Sequence, residues 1–523
     1  MDRLTPIAFG FNGGYQTDLP SQARQLSYFL KAENCTFEVS GAVRKVGGAA
    51  AINSSAIAST PDIVGMFDYW KAGVAGTWAQ DFVAVTANSK IYKEDMDGTF
   101  DDVTGAVTIT ADIVPVFCQA RDTLLILTSA ADAPVKYDQT GSAAALGGTP
   151  PSGTGAVFHA NRVWIWGKQA NPSTIYYCSY KDIEDWSGVD TGAIDIDIDD
   201  GDVIIGAASF KNNLIIFKGP NKGSIHVISG TGPSSFSKHL LVRGIPLQAH
   251  NSIVEVGNDL LFMSNHGIHA LSAVQQFGDY APSDLTRYLK LHFRENVNRS
   301  KLNKVWGVNY AEKNCVLWTY TSASGSENDA TLGLSYVRLQ EEGWKAFTWT
   351  RGGISAATRI HPTTKLREVV YGNTAGVALR EDVSDRSLPS NTAYSMRLQT
   401  PYLLLGQGKP DQPINVNNIY LRSVAKGNWN VNVSVTRDQN TSETYNFNQG
   451  VAGFLLDTDV LDVDALGATQ MQIAYPNNAL VAGSARAVQF DITQGGLLQD
   501  AEILEIGIES DNVAASRQSA LVE

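Results

Sequence analysis

The sequence predicts an all-β protein: a six- or seven-bladed β-propeller, preceded by an N-terminal extension and followed by a C-terminal β-sandwich-like domain. Three observations carry that expectation. Short runs rich in Val, Ile, Thr, Tyr and Trp far outnumber helical stripes. The chain holds 47 glycines, which punctuate those runs. One strand–turn–strand phrase also recurs along the chain, which is the mark of a repeat architecture.

The phrase is an apolar run, a turn rich in Gly, Asn, Ser or Asp, then a second apolar run. It occurs in DFVAVTANSKIYKED, DTLLILTSAADAPVKYD, NRVWIWGKQANPSTIYYCS, NNLIIFKGPNKGSIHVIS, NDLLFMSNHGIHALS, NCVLWTYTSASGSENDATLGLSYVRL and REVVYGNTAGVALRED. The first runs begin at Phe82, Leu124, Val163, Leu214, Leu260, Val316 and Val369, giving separations of 42, 39, 51, 46, 56 and 53 residues. A lone hairpin cannot bury both its faces, so a hairpin at this period implies flanking strands that complete a small sheet stacked on its neighbours. Four short strands with their turns need about 40 residues, the length of a propeller blade. Separate β-sandwiches would need about 100 residues per unit.

In chain order, residues 1–60 are the N-terminal extension, 61–390 the propeller, and 391–523 the sandwich-like domain. Within the propeller, APSDLTRYLKLHFREN interrupts the pattern. Pro282 and Ser283 read as a helix start, and Leu285, Tyr288, Leu289, His292 and Phe293 share one helical face, which predicts a short helix near 283–295. Beyond residue 390 the alternation resumes in PYLLLGQGKPDQPINVNNIYLRSVAKGNWNVNVSVTRD and VQFDITQGGLLQDAEILEIGIES without the repeat.

The chain has 523 residues and a formal net charge of −13, which argues against general nucleic-acid affinity, because such affinity comes from Lys and Arg displacing phosphate counterions. No run of eighteen apolar residues predicts a transmembrane helix, and MDRLTPIAFGFNGGY does not read as a secretory signal. Cys35, Cys118, Cys178 and Cys315 form no CxxC pair, so four reduced, buried thiols and folding in a reducing cytoplasm are expected.

Catalytic or metal-binding signatures are sparse, and no cofactor is expected. Asp195, Asp197, Asp199, Asp200 and Asp202 in AIDIDIDDGDVII form the densest acidic cluster. An EF-hand loop needs Gly at its sixth position and Glu at its twelfth, where this segment has Asp200 and Gly206. A strand with one carboxylate face and a DDGD turn accounts for it. His266 and His269 lack a third ligand nearby and read as turn residues. Glu94, Asp95, Glu184, Asp185, Glu381 and Asp382 are the candidates for paired carboxylates of the glycosidase kind, and each is expected as solvated charge at a turn. Trp164 and Trp166 lie two apart on one strand and face the same side, where packing between blades uses them; a sugar-stacking platform is the alternative.

The opening segment GFNGGYQTDLPSQARQLSYFLKAENCTFEVSGAVRKVGG resembles that of bacteriophage tail nozzle proteins, the propeller-bearing tail-completion proteins of short-tailed phages. The matching positions are Leu19, Pro20, Glu33, Asn34, Gly41, Arg44, Lys45, Gly47 and Gly48. NRVWIWG followed by NPSTIYYCSYKDIEDW, then DDGDVIIGAASFKNNLIIFK and GNDLLFMSNHGIHALS, is similar to successive blades of that family, so the resemblance covers about residues 10–385.

The resemblance implies a non-enzymatic virion protein, assembled in the host cytoplasm and built into the phage tail. It implies a homo-oligomeric ring, usually of six copies, below the portal and adaptor rings. Tail fibres, a tailspike or a tip or plug protein would be neighbours, and DNA would pass without specific binding. Six copies carry 6 × (−13) = −78, so Asp195, Asp197, Asp199, Asp200 and Asp202 are expected as acids of a lumen that repels DNA at close range. The extension and the sandwich are the expected contact elements, a closed propeller being taken to lack free sheet edges. Two other classes remain open at this point: a polysaccharide-degrading propeller enzyme, and a lectin-like receptor-binding tail protein.

Overall fold

Each of the seven phrases found in the sequence folds into the second and third strands of a four-stranded antiparallel meander. The computed structural model describes residues 5–11, 13–23, 28–38, 41–73, 77–274, 279–337, 339, 343–383, 387–389, 392–405, 413–424, 427, 429–439, 441–449, 471–476 and 483–511. Among these, blade 1 runs from Ile63–Ala72 through Trp78–Thr86 and Lys90–Glu94 to Asp101–Asp102. Blades 2, 3, 4 and 5 start on the inner strands Val116–Ala120, Gly155–His159, Val203–Phe210 and Val254–Val256. Blade 6 is the meander from Trp306–Tyr310 to Lys345–Trp349, and blade 7 begins at Ser355–Ile360. Six of the seven are self-contained four-stranded sheets, while blade 6 opens an 11-stranded sheet. The inner strands pack side by side around one axis, with the turn His250–Ser252 set between blades 4 and 5.

Local chemistry explains the repeated hairpin. In blades 2, 3 and 4 the inner strand turns into the second through two residues of positive φ: Arg121 (48°) with Asp122 (59°), Ala160 (50°) with Asn161 (58°), and Lys211 (50°) with Asn212 (63°). Such turns match the right-handed twist of the flanking strands, and Asn and Asp tolerate the left-handed region.

Between blades the filling is aromatic and branched. Trp164 and Trp166 are both fully buried. Trp164 lies 5.1 Å from the ring of Phe236 and Trp166 lies 5.1 Å from that of His250, both beyond blade 3 in the chain. Their burial removes the sugar-stacking alternative at that position and leaves the packing role.

Residues 1–60 do not stand apart. Gly48–Ala51 pairs antiparallel with Ala378–Val383 and supplies the outer strand of blade 7, so the ring is closed by a strand from before blade 1. The segment before it joins the sandwich. Thr5–Gly10 and Val43–Lys45 both pair with Glu502–Asp511 in a seven-stranded sheet that also contains Ile414–Val424. Lys31–Glu33 joins the other layer between Lys345–Trp349 of blade 6 and Met396–Gln399, which in turn pairs with Ala487–Gln494. One sheet thus continues from a propeller blade into the sandwich. The two layers share a core that includes Ile419, Leu421, Ile506 and Ile508 facing Val433, Phe490 and Ile492.

Two expectations need correction. The helix spans Lys290–Glu295 only, and Pro282 and Ser283 belong to the strand Asp279–Asp284. Leu289, at its N-cap, has no side-chain cap bond; Asp18 of the extension caps the helix instead, accepting from Lys290 N at 2.8 Å and Leu291 N at 2.9 Å. His292 and Phe293 are buried as the stripe implied, whereas Tyr288 is exposed. Blades also keep outer edges: Ser237–Arg243 pairs only with Ser224–Ser229 among the described residues and is exposed along most of its length.

Candidate functional site

The residues of the opening phrase converge on the seam between blades 6 and 7 and the sandwich. Asn34 sits in the left-handed region with φ 53° and is 3% exposed. Its Nδ2 donates to Thr350 Oγ1 and to the Ser395 carbonyl, both at 2.8 Å, and its Oδ1 accepts from Thr350 N at 2.9 Å. One amide therefore ties the chain just after blade 6 to the first strand of the sandwich. Gly41 makes the turn, at φ 75°, between Cys35–Thr36 and Val43–Lys45.

Arg44 reaches Asp500 at 3.2 Å and Glu38 at 3.6 Å. Lys45 is fully buried, donates to Gln494 Oε1 at 2.8 Å, and lies 4.6 Å from the Tyr394 ring centre. Gly47 has no room for a side chain: a Cβ there would fall 2.3 Å from the Val383 carbonyl oxygen. Its N–H donates to Asp382 Oδ1 at 2.5 Å, and its carbonyl accepts from Arg351 Nη2 at 2.6 Å. Gly48 then starts the closing strand. Glu33 pairs with Arg397 and Thr348 in the shared sheet, and the Pro20 carbonyl accepts from the Tyr28 hydroxyl.

Arg351 and Glu381 form the charged centre of this seam. Burial pushes the Glu381 carboxyl up from its ordinary range, and the Arg351 guanidinium opposes that shift. Lys313 joins Glu38 at 2.8 Å and Asp382 at 3.7 Å. The expectation of solvated carboxylates fails here. Glu94 (1% exposed), Glu381 (4%) and Asp382 are buried and lie in the strands Lys90–Glu94 and Ala378–Val383, and Glu94 faces Arg359 at 3.0 Å. A carboxylate can be buried there because a cation is buried with it. Asp95, Glu184 and Asp185 are surface groups as expected: Asp95 pairs with Lys93, Glu184 with Lys136, and Asp185 accepts from Ser187 N and Gly188 N. Each of these six carboxylates is committed to a cation or a backbone N–H.

The acidic segment is a loop more than a strand. The outer strand of blade 3 stops at Asp195; Asp197 and Asp199 take positive φ of 41° and 61°, Ile196 is buried and Ile198 is exposed. The carboxylates find different partners. Asp195 accepts from Thr174 Oγ1 at 2.7 Å. Asp197 meets Arg243 at 3.0 Å and Lys238 at 3.5 Å. Asp200 accepts at 2.7 Å from Lys218, whose fully buried ammonium also donates to the carbonyls of Ile196 (2.9 Å) and Asp197 (2.6 Å). Asp202 accepts from the backbone N–H groups of Asn221, Lys222 and Gly223 at 2.8–2.9 Å. An ammonium thus occupies the oxygen cradle that the EF-hand comparison raised, and Asp195 and Asp199 are the exposed members of the five.

His266 lies in a hairpin turn, whereas His269 is in the strand Gly267–Val274 with its ring against Phe262 at 5.8 Å. The four cysteines are buried and free. The sequence placed His292 on the packing stripe but not its polar partners: it is 3% exposed and meets the hydroxyls of Tyr15 and Tyr320 and the amide of Asn296, each at 3.2 Å. No local pattern could have announced that cluster, since Tyr15 is 277 residues away. No helix among the described residues is long and apolar enough to cross a membrane.

No family model and no curated protein sequence matches the chain. Solved structures with a similar arrangement include YCF48 bound to D1 peptide, at 14% identity over 65% of this chain and 98% of that one, with a TM-score of 0.38. BamB from Moraxella catarrhalis aligns at 9% identity over 64% and 100%, TM-score 0.35. The β-propeller domain of Myceliophteria thermophila Cps50 (Swd1) aligns at 9% over 63% and 98%, TM-score 0.39.

Proposed function

We propose that this chain is a non-enzymatic structural protein of a virion: the subunit of the distal nozzle ring of a short phage tail, through which the genome leaves. The observation that carries the reading is the seam. Of the residues on which the resemblance to tail nozzle proteins rests, Asn34 ties blade 6 to the sandwich, Arg44 and Lys45 tie the N-terminal segment to the sandwich, and Gly47 and Gly48 hold that segment to blade 7 and close the ring. A subunit that must keep its shape while DNA passes under pressure needs such a rigid joint between its modules.

In this reading six copies form the ring, with the adaptor and portal above and fibre, tailspike or tip proteins as neighbours. DNA passes without specific binding. Of the five acids expected at a lumen, Asp195 and Asp199 keep exposed charge and remain candidates, while Asp197, Asp200 and Asp202 are committed to partners within the subunit. Negative-stain imaging of the purified protein, and of virions labelled with an antibody to it, tests the proposal. The expected result is a ring with a through-channel at the distal end of the tail. A monomer with label on the capsid or fibres alone overturns it.

A further inference from the structure

A cavity of about 910 Å³ opens between blades 2 and 3. Its walls come from the turn at Ala130, the link 149–152 between the two blades, the turn at Lys168, and the strands Thr174–Tyr177 and Gly192–Asp195 of blade 3. The size falls within the range of small-ligand pockets, about 300–1,000 Å³. Its apolar lining is aromatic, proline or alanine, and no Leu, Ile, Val, Met or Phe takes part. Tyr176 and Trp186 are half-buried there. The Trp186 indole N–H donates to the Ile183 carbonyl at 3.0 Å, which holds the ring in one orientation. Ala193 stands opposite Tyr176 in the register, so the outer strand sets only a methyl group beside that phenol.

The polar groups of this wall differ from those of the seam, where each is committed to a partner. Among the described residues, the side chains of Thr149, Ser152, Lys168 and Gln169 make no hydrogen bond or ion pair. The Tyr176 hydroxyl accepts from Asn171 Nδ2 at 3.0 Å and keeps its own proton to donate. Lys168 is the one charged residue of the lining. Its ammonium stands 5.3 Å from the centre of the Tyr176 ring. A cation within about 6 Å of an aromatic face is attracted to it, which steadies the ammonium without neutralising it.

These features select a ligand class. In a chain of net charge −13, an ammonium with no carboxylate beside it favours an anion, through a charge-assisted hydrogen bond. The aliphatic anchors of a peptide would find no aliphatic wall. A sugar offers a flat C–H face to an indole or phenol ring and hydroxyls to uncommitted amides and hydroxyls. We propose that this cavity binds an acidic polysaccharide segment, with a hexuronate carboxylate on Lys168 beside Tyr176 and the C–H face of the same or the next sugar on Trp186. Binding here holds or fails whatever ring the chain forms, so it stands apart from the nozzle reading.

Titration calorimetry of the full-length protein tests it. The probes are tetragalacturonate and tetraglucuronate, each with its methyl ester as the neutral control, and tetraglutamate as the peptide anion. The expected result is saturable binding of at least one uronate at millimolar concentration, with its ester about tenfold weaker, a difference of about 1.4 kcal/mol. In Lys168→Gln the acid and its ester should bind alike. That substitution strands no buried partner, since Lys168 touches only the Tyr176 ring. No binding of either uronate at tens of millimolar, or an ester that binds as well as its acid, overturns the proposal. A preference for the acid that survives Lys168→Gln overturns it too, and tetraglutamate binding as tightly as the uronate assigns the cavity to an acidic peptide instead.

Discussion

Arg351 Nε lies 2.6 Å from Glu381 Oε2, with both side chains buried where blades 6 and 7 meet the N-terminal segment. The pair is an energetic liability if either member is lost alone. Glu381→Ala is expected to lower stability by about 3–5 kcal/mol, because it strands a buried guanidinium. Replacing both, with Arg351→Met and Glu381→Leu, should cost less than the sum of the single changes. Urea denaturation midpoints of the three variants check this.

Asn34 combines a left-handed backbone with four side-chain hydrogen bonds across the seam. Asn34→Ala should cost about 2–4 kcal/mol, the sum of lost bonds and backbone strain. Asn34→Gly should recover about 1 kcal/mol of that, since glycine takes positive φ freely. Limited proteolysis is the readout: the alanine variant is expected to release the N-terminal segment faster than the glycine variant.

His292 makes the packing of the N-terminal segment on blade 6 acid-sensitive. Burial pushes its imidazole down to about 4 from an ordinary 6.5. The folded ring stays neutral while the unfolded ring takes up a proton, so the stability this site contributes is complete above pH 6.5 and lost as pH falls to about 4. The loss amounts to about 3 kcal/mol. His250, held at about 4 by the same cause, adds to the slope in the same window. Melting temperatures between pH 7 and 4 should fall less steeply in His292→Gln than in the unmodified protein.

Trp164 fills the gap between blades 3 and 4 at zero exposure. Trp164→Ala should therefore cost about 3–5 kcal/mol, and Trp164→Phe clearly less. Thermal unfolding followed by circular dichroism measures both.

The repeat was legible because it is local. Seven hairpins announce themselves through alternation and turn residues within about twenty positions, and all seven became the middle strands of blades. What was not legible depends on distant parts of the chain. Pro282 and Ser283 looked like a helix start, yet the cap is Asp18, 272 residues from Lys290. Glu94, Glu381 and Asp382 looked solvated because charge suggests water, and only the fold places Arg359, Arg351 and Lys313 beside them. The acidic loop looked like a free carboxylate face because nothing local to Asp200 reveals that Lys218 will point into it. The seam was visible as a phrase of residues, and its purpose was invisible without its partners.

The pairing of Thr5–Gly10 with Glu505–Ser510 also orders events during synthesis. Thr5–Gly10 is made about 500 residues before the strand it docks on, so at about 5–20 residues per second it spends roughly 25–100 s without its partner. Blade 7 likewise lacks its outer strand until Gly48–Ala51 folds back onto it. A nascent chain arrested before residue 502 carries an unpaired leading edge, which is where a holding chaperone would be needed.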